Sequence, residues 1–430
     1  MSDSVVTVPK PAASAPAPHA ASRASSPAAQ APPPGRLGRL TGTPALLLLA
    51  SIVVALLASS SAPTPLYALY QARWGFSPIT TTVVFGVYAL AVLGSLLTLG
   101  RLSDHLGRRP VLLAAIAGQL AALALLTTAG GVPELIAARV VQGLSTGAAI
   151  GAIGAGMLDL DRLRGAFANS LAPGIGTGVG SLFSAILVRY LPAPTHLVYL
   201  VVAGVLVLQA AGVALMRETV TRAPGALRTL LPEVRLPREV RGAFLTAAPV
   251  LFAVWALPGL YGALGPSLVA KLTGSSALVL GSAALSVLTA TAAASVAVLR
   301  RTGERAVMLT GVLGLTAGVP VTLLGLDIRS TALFFAGIAI SGVGFGSGFQ
   351  GAIRTVVPRA AAHQRAGLLS VIYTVSYLGL GVPAVIAGFL VVHGGGLVDT
   401  AYEYGAAIVV LALLALIGLL RGTRRAGDGA

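Results

Sequence analysis

Twelve apolar stretches, each long enough to cross a bilayer, recur along most of this chain of 430 residues. Charged residues make up 10% of the chain, whereas soluble domains carry roughly 25%. So few charges could not cover the surface of a soluble fold, and about 20 apolar residues suffice for one helix to cross the hydrocarbon core. The pattern therefore predicts an all-α membrane protein with twelve transmembrane helices.

The predicted spans form two sets of six, separated by a basic segment. We place them near 44–70, 79–100, 110–130, 134–157, 166–189 and 197–216, and then near 243–264, 277–299, 306–325, 331–353, 367–392 and 404–421. The expected domains are a disordered Ala/Pro/Ser-rich cytoplasmic tail (1–42), an N-terminal six-helix half (43–216), a basic cytoplasmic linker (217–242), a C-terminal six-helix half (243–421) and a cytoplasmic tail (422–430). Two six-helix halves around a mid-membrane site are a known transporter plan.

Basic residues are distributed unevenly over the predicted loops. With both termini placed in the cytoplasm, only Arg73, Arg189, Lys271 and Arg329 fall in outer loops, and only Arg139 falls within a span. The positive-inside rule predicts this bias. We therefore expect a multi-pass protein of the cell (cytoplasmic) membrane with both termini cytoplasmic. The net charge of +16 is then a topology signal, and we expect no nucleic-acid partner.

The loop after the second span reads Gly100-Arg101-Leu102-Ser103-Asp104-His105-Leu106-Gly107-Arg108-Arg109-Pro110. Gly107 permits a tight turn, and Asp104 is an acid within a basic loop. Such an acid could lie against the positive N-terminus of a neighbouring helix. The simpler alternative is that the loop only fixes topology.

This loop resembles motif A of the major facilitator superfamily, a Gly-x-Leu-x-Asp-x-x-Gly-Arg-Arg pattern. The matching residues are Gly100, Leu102, Asp104, Gly107, Arg108 and Arg109, and His105 stands where the family usually has Arg. The resemblance implies that the loop is a conformational latch. It also implies that Asp104 meets the inner end of span 11 and helps to hold the outward-facing state.

Arg139 is a charge within span 4, with Gln142 and Gly143 following on the same helix face. An Arg at bilayer depth costs roughly 2.5–3.5 kcal/mol on insertion scales, so it tends to face a cavity or a partner. Snorkelling to the outer interface is the alternative. The run from Arg139 to Gly143 resembles motif B of the same family, Arg-x-x-Gln-Gly, which implies a role in proton coupling.

No predicted span carries a carboxylate near its middle. All 13 Asp and Glu residues fall in tails, loops or span ends, and Glu134 is the nearest to Arg139. Coupling would then be indirect, or transport uncoupled. A cavity without a carboxylate also argues mildly against an organic cation as the sole substrate.

Span 5 contains Pro173, Gly174 and Gly178, which allow bending and close helix approach. The order Ala172-Pro173-Gly174 partly resembles motif C, the antiporter signature of the family. Generic glycine packing between membrane helices is the alternative, so the resemblance favours export only weakly.

Polar and aromatic residues in mid-span are candidates for contact with a small-molecule substrate, because ligand pockets are apolar with a few polar groups. The alternative is that about half of these residues anchor their helices at the membrane interface and do not contact a ligand. The candidates are Tyr67, Tyr70, Asn169, Trp255, Tyr261, Gln350, Tyr373 and Tyr377.

The expected function is secondary active transport by alternating access. We expect proton-coupled efflux of a drug-like molecule or secondary metabolite, with import of a sugar or organic acid as the alternative and a channel as a further class. The chain has no cysteine and lacks the nucleotide-binding and hydrolase signatures of enzymes. We expect no enzymatic activity, no cofactor and no metal. The expected partners are the substrate, protons and the lipid bilayer, and the expected oligomeric state is a monomer.

Overall fold

The computed structural model describes residues 40–274 and 278–427, without the side chains of Arg228, Ala362 and residues 422–427. The predicted disordered tail therefore lies almost wholly outside the described residues, as does the end of the predicted C-terminal tail. Within the described ranges, all regular elements are α-helices or 3-10 helices, apart from one isolated β-bridge between Leu40 and Met216.

The described residues form fifteen α-helices and contain twelve spans that are long and apolar enough to cross a membrane. This confirms the predicted all-α fold with twelve spans. The helices are α1 (Gly42–Ser61), α2 (Leu66–Trp74), α3 (Pro78–Leu99), α4 (Ser103–Leu106), α5 (Arg108–Thr128), α6 (Val132–Leu160), α7 (Arg162–Tyr190), α8 (Pro194–Leu215), α9 (Arg241–Ala263), α10 (Gly265–Thr273), α11 (Leu278–Val298), α12 (Glu304–Asp327), α13 (Thr331–Val356), α14 (Arg365–His393) and α15 (Gly396–Gly427).

The first and last spans differ from their predicted bounds. The first span runs from Gly42 to Trp74 and contains a break between α1 and α2. Pro63 and Pro65 lie at this break, and neither can donate a helical hydrogen bond. The twelfth span begins at Gly396 rather than at 404, because helices continue past the apolar stretch into the interface.

Two large apolar cores lie on either side of the linker in sequence. The buried residues of one core come from Ala45 to Met216, and those of the other come from Val240 to Ala415. A third, smaller cluster joins Tyr88 and Leu93 of α3 to Tyr377 and Leu380 of α14. The seam between the two cores is therefore crossed by aromatic side chains.

The seam is formed by α3 against α14 and by α7 against α11. We call the end of the bundle that carries residues 100–108 and 216–240 the linker end. Thr82 and Gly388 lie at the opposite end, so close that a Cβ on Gly388 would be 2.8 Å from the Cβ of Thr82. In the second pair, Ser286 Oγ donates to the carbonyl of Gly178 at 2.8 Å. The two halves are thus in contact toward the end opposite the linker.

Candidate functional site

The break in the first span creates a polar pocket in the middle of the N-terminal half. In a continuous helix, the carbonyl of Ser59 would accept from the residue at 63, but Pro63 has no N–H. The next carbonyl, that of Ser60, is also free for a partner outside the helix, because the N–H of Thr64 donates to Ser61 instead at 3.1 Å. The carbonyls of Ser59 and Ser60 therefore have no N–H partner within the helix and can accept hydrogen bonds from neighbouring helices.

Arg139 and Gln142 of α6 fill this pocket. The Arg139 guanidinium donates to the Ser60 carbonyl at 2.9 Å and to Gln142 Oε1. Gln142 Nε2 donates to Ser59 Oγ at 3.0 Å, and Gln119 of α5 donates to the same hydroxyl at 2.7 Å. Arg139 is 1% exposed, so it does not snorkel to an interface. Its hydrogen-bond acceptors in this pocket are neutral.

The Arg139 guanidinium also lies over an aromatic ring. Its central carbon is 4.1 Å from the centroid of the Tyr88 ring of α3. Gly143, one helical turn from Arg139, is where α6 approaches α3, since a Cβ on Gly143 would lie 2.7 Å from the Tyr88 carbonyl. The motif-B residues therefore hold Arg139, Gln142 and Tyr88 together. Arg139 Nε is buried without a hydrogen-bond partner.

A cluster of aromatic side chains lies across the seam from Arg139. The Trp255 ring of α9 is 6.1 Å from Phe345 and 5.6 Å from Phe349 of α13, in edge-to-face arrangements. Its centroid is 5.1 Å from that of Tyr377 of α14. Trp255 and Tyr377 belong to the same apolar cluster as Tyr88. A continuous path of side-chain contacts therefore joins Arg139 in one half to Trp255 in the other.

Two further candidates border this aromatic cluster. Tyr373 of α14 packs against the same group of side chains as Tyr377. Gln350 follows Phe349 on α13, and its Oε1 is buried without a hydrogen-bond partner. The indole N–H of Trp255 is likewise buried and without a partner. These groups have hydrogen-bonding capacity that the protein itself does not use.

The remaining substrate candidates lie elsewhere. Tyr70 is buried in the N-terminal core, where its hydroxyl is 3.0 Å from that of Tyr199. Tyr261 is buried in the C-terminal core. Tyr67 is also in the N-terminal core, but its hydroxyl has no partner. Asn169 is half-buried and faces α6 at Gly154. Tyr70 and Tyr261 therefore lie in separate cores and not in the aromatic cluster at the seam.

The motif-A loop surrounds the buried side chain of Arg108. Arg108 Nη1 donates to Asp104 Oδ1 at 2.5 Å and to Ser103 Oγ at 2.6 Å, while Arg108 Nε donates to Asp159 of α6 at 3.1 Å. Gly107 precedes α5 with φ +100°, a conformation that L side chains rarely adopt. Arg109 donates to the Ala214 carbonyl of α8 at 2.5 Å. The loop thus connects α3, α5, α6 and α8 within one half.

Gly100 opens this loop where α3 meets α6. A Cβ on Gly151 of α6 would lie 2.7 Å from the Gly100 carbonyl oxygen, so the backbones of these two helices are in direct contact. Small residues permit such close approach in membrane helices.

In this structure the Asp104 carboxylate does not contact span 11, a contact that the family resemblance implies for the outward-facing state. The carboxylate pairs with Arg108 of the same loop and is half exposed. The linker instead contacts the start of α14, where the Arg235 N–H donates to the Gly367 carbonyl at 3.4 Å. The same linker holds the loop through an ion pair of Glu233 with Arg101 at 2.5 Å. In this structure the linker therefore occupies the position between the loop and span 11.

Glu218 of the linker caps the N-terminus of α5. Its two carboxylate oxygens accept from the backbone N–H groups of Arg108 at 2.8 Å and Arg109 at 3.0 Å. A helix N-terminus has unpaired N–H groups and a partial positive charge, so a carboxylate is stabilising there. An acid at the N-terminus of a neighbouring helix was predicted from the sequence, but the residue named for it was Asp104. The residue that caps α5 is Glu218, which lies outside motif A.

Pro173, Gly174 and Gly178 lie on α7 next to α11. A Cβ on Gly174 would lie 3.1 Å from the Thr289 carbonyl, and one on Gly178 would lie 2.7 Å from Thr289 Oγ1. These glycines therefore form the second seam between the halves. Pro173 is within the helix.

Several residues of the site were missed by the sequence analysis. Tyr88 and Gln119 lie in mid-span and are an aromatic and an amide, so the criterion applied to the other spans would have found them. Phe345 and Phe349 carry no polar atom, and only their contacts with Trp255 distinguish them from core residues.

A bundle of twelve spans in two halves, with a buried cation and an aromatic cluster at their seam, defines a membrane transporter rather than an enzyme. The sequence model of the Major Facilitator Superfamily matches residues 47–301, which is more than half of the chain. The chain therefore belongs to this family. It is therefore a multi-pass membrane protein that transports a small molecule.

Solved structures share this fold at low sequence identity. The nucleoside transporter NupG aligns with a TM-score of 0.63 and 13% identity, covering 87% of this chain and 98% of that chain. A bacterial homologue of the human lysosomal transporter Spinster, in an inward-facing and occupied conformation, gives a TM-score of 0.65 and 12% identity over 87% of this chain and 96% of that chain. Among curated proteins, no relative matches this chain.

Proposed function

We propose that this protein is a secondary active transporter of the cytoplasmic membrane that exports a lipophilic small molecule in exchange for protons. Both termini and the linker would lie in the cytoplasm, and the two six-helix halves would rock about a central site as a monomer. The observation that carries the proposal is the seam between the halves. It is made of small residues toward the end opposite the linker, where Gly388 and Gly178 touch Thr82 and Ser286.

A seam of this kind is suited to opening and closing. Small side chains interdigitate little, so the two surfaces can part without large rearrangement of either core. With the linker end in the cytoplasm, the structure is closed on the extracytoplasmic side. Alternating access requires a second state in which this seam opens.

Proton coupling is proposed from the resemblance of Arg139, Gln142 and Gly143 to motif B. The buried guanidinium has no carboxylate among its hydrogen-bond partners. We therefore propose an indirect coupling, in which protonation elsewhere changes the position of the halves. Export is proposed from the partial resemblance of span 5 to the antiporter motif.

The test is flux in liposomes that contain the purified protein and an entrapped pH-sensitive dye. A panel of lipophilic compounds and sugars is added with and without an imposed pH gradient. We expect saturable flux of a lipophilic compound that is accompanied by proton movement in the opposite direction. Co-directional movement of protons with a sugar or organic acid would favour the importer, and unsaturated conductance would favour a channel.

A further inference from the structure

We propose that the substrate binds against Trp255, Phe345, Phe349 and Tyr377, which we call the aromatic box. We further propose that it is a planar aromatic molecule that accepts a hydrogen bond and carries no positive charge. This inference rests on the transport function proposed above and deepens it by naming the substrate class.

The aromatic box has ring faces and edges available on one side of the seam. Phe345 and Phe349 meet the Trp255 ring at interplanar angles of 83° and 77°, so each pair is in an edge-to-face arrangement. Trp255 and both phenylalanines are only half-buried, unlike the rings inside the two cores. A flat aromatic ligand can add to such an arrangement by stacking or by edge-to-face contact.

The box also has an unused hydrogen-bond donor. Trp255 Nε1 is buried without a partner, and an indole nitrogen can only donate. A buried donor without an acceptor is unfavourable. A ligand with a carbonyl or similar acceptor would satisfy it, whereas a hydrocarbon would not. The neighbouring Gln350 Oε1, also without a partner, could accept from an N–H of the same ligand class.

Charge decides between two kinds of aromatic-site ligand. Aromatic faces attract organic cations, so the box considered alone would suit a quaternary ammonium. Here, however, Tyr377 packs with Tyr88, whose ring lies against the Arg139 guanidinium. Among the described residues, the acids on spanning helices lie toward the helix ends. The charge that these contacts link to the box is therefore positive, which disfavours a cationic ligand.

The two tryptophans of this chain allow a direct binding test. Replacing Trp74, which stacks on Tyr70 at 4.6 Å, by Trp74→Phe leaves Trp255 as the single tryptophan, which is excited selectively over the tyrosines at long wavelength. The probe is 2-quinolone, a flat uncharged amide. We expect a saturable quenching of Trp255 fluorescence by 2-quinolone in detergent, with no gradient present.

Two matched competitors test planarity and charge. Decahydroquinolin-2-one keeps the amide but has no aromatic plane, and N-methylquinolinium keeps the plane but is a cation. We expect each to displace tritiated 2-quinolone from the protein only at a concentration about tenfold higher than unlabelled 2-quinolone requires, the ratio that one lost contact of ordinary strength gives. Absence of saturable quenching would overturn the proposal. So would a quinolinium that competes as well as the quinolone.

Variants locate the site. Phe349→Leu or Phe345→Leu, in the Trp74→Phe background, should weaken 2-quinolone binding about tenfold, while Phe389→Leu, on an exposed face of α14, should leave it unchanged. Unchanged binding in both box variants would overturn the assignment. Because binding needs no flux, binding without transport would contradict the proposed function alone. Transport that is unaffected by the box variants would contradict this inference alone.

Discussion

The guanidinium carbon of Arg139 lies 4.1 Å from the centroid of the Tyr88 ring, so the buried cation of one half rests on an aromatic face that also contacts the other half. Tyr88 shares a cluster with Tyr377 and Trp255. Any movement of α14 away from α3 therefore changes the surroundings of Arg139. This contact is a physical link between the position of the halves and a buried charge.

Replacing Tyr88 tests this link. Tyr88→Phe keeps the ring face, and we expect flux close to that of the wild type. Tyr88→Leu removes the cation–π contact, worth about 0.5–2 kcal/mol, and we expect flux to fall about tenfold. The measurement is saturable flux in liposomes, normalised to the amount of inserted protein. Equal flux in the two variants would show that the ring face has no role.

Arg139→Ala should abolish transport without preventing membrane insertion. The change leaves the Ser60 carbonyl and Gln142 Oε1 without their donor in a water-poor pocket. The control is Arg189→Ala, an exposed Arg at the end of α7. Flux and the yield of detergent-extracted protein are measured together. Wild-type flux in Arg139→Ala would refute the proposed role of this residue.

Glu218→Ala should destabilise the protein although it lies outside the motif loop. It removes the acceptor for two N–H groups at the start of α5, and the loss of a cap costs about 1–2 kcal/mol. Glu239→Ala changes an exposed linker acid and serves as the control. Thermal unfolding in detergent should show a lower midpoint for Glu218→Ala only. Equal midpoints would mean that the cap contributes nothing.

Asp104→Asn should reduce transport and leave insertion intact. The amide keeps the shape of the side chain but loses the charge that pairs with Arg108. Because Asp104 is half exposed, we expect a smaller effect on the thermal midpoint than Glu218→Ala produces. Flux and thermal unfolding, measured on the same preparations, separate the two effects. Wild-type flux in Asp104→Asn would exclude Asp104 from the latch.

A disulfide between positions 82 and 388 should lock the seam. The chain has no cysteine of its own, so Thr82→Cys with Gly388→Cys introduces the only pair. The Cβ atoms would lie 2.8 Å apart, close enough to bond after a small adjustment. We expect oxidation to stop flux and a reductant to restore it.

The control for this cross-link is Thr82→Cys with Gly204→Cys. A side chain at position 204 on α8 would meet nothing within 4 Å. This pair should neither cross-link within one molecule nor lose flux on oxidation. If oxidised Thr82→Cys/Gly388→Cys protein transported normally, opening of this seam would not be part of the cycle.

The sequence by itself determined the number and approximate bounds of the spans. Apolar length is a local property, and the cost of burying polar groups in lipid fixes it without reference to neighbours. The sequence also marked Arg139 and Gln142, because a polar residue in an apolar span is unusual wherever it lies. The break in the first span was not predicted, although Pro63 and Pro65 lie at it and prolines disrupt helices.

Only the tertiary structure decided which of these residues meet. Tyr88 and Trp255 lie far apart in sequence but share one cluster, whereas Tyr70 and Tyr261, chosen by the same criterion, pack into separate cores. The linker acid Glu218, and not Asp104, caps α5. In each case the partner is set by how helices pack across the bundle, and packing depends on shape complementarity between segments that no local pattern encodes.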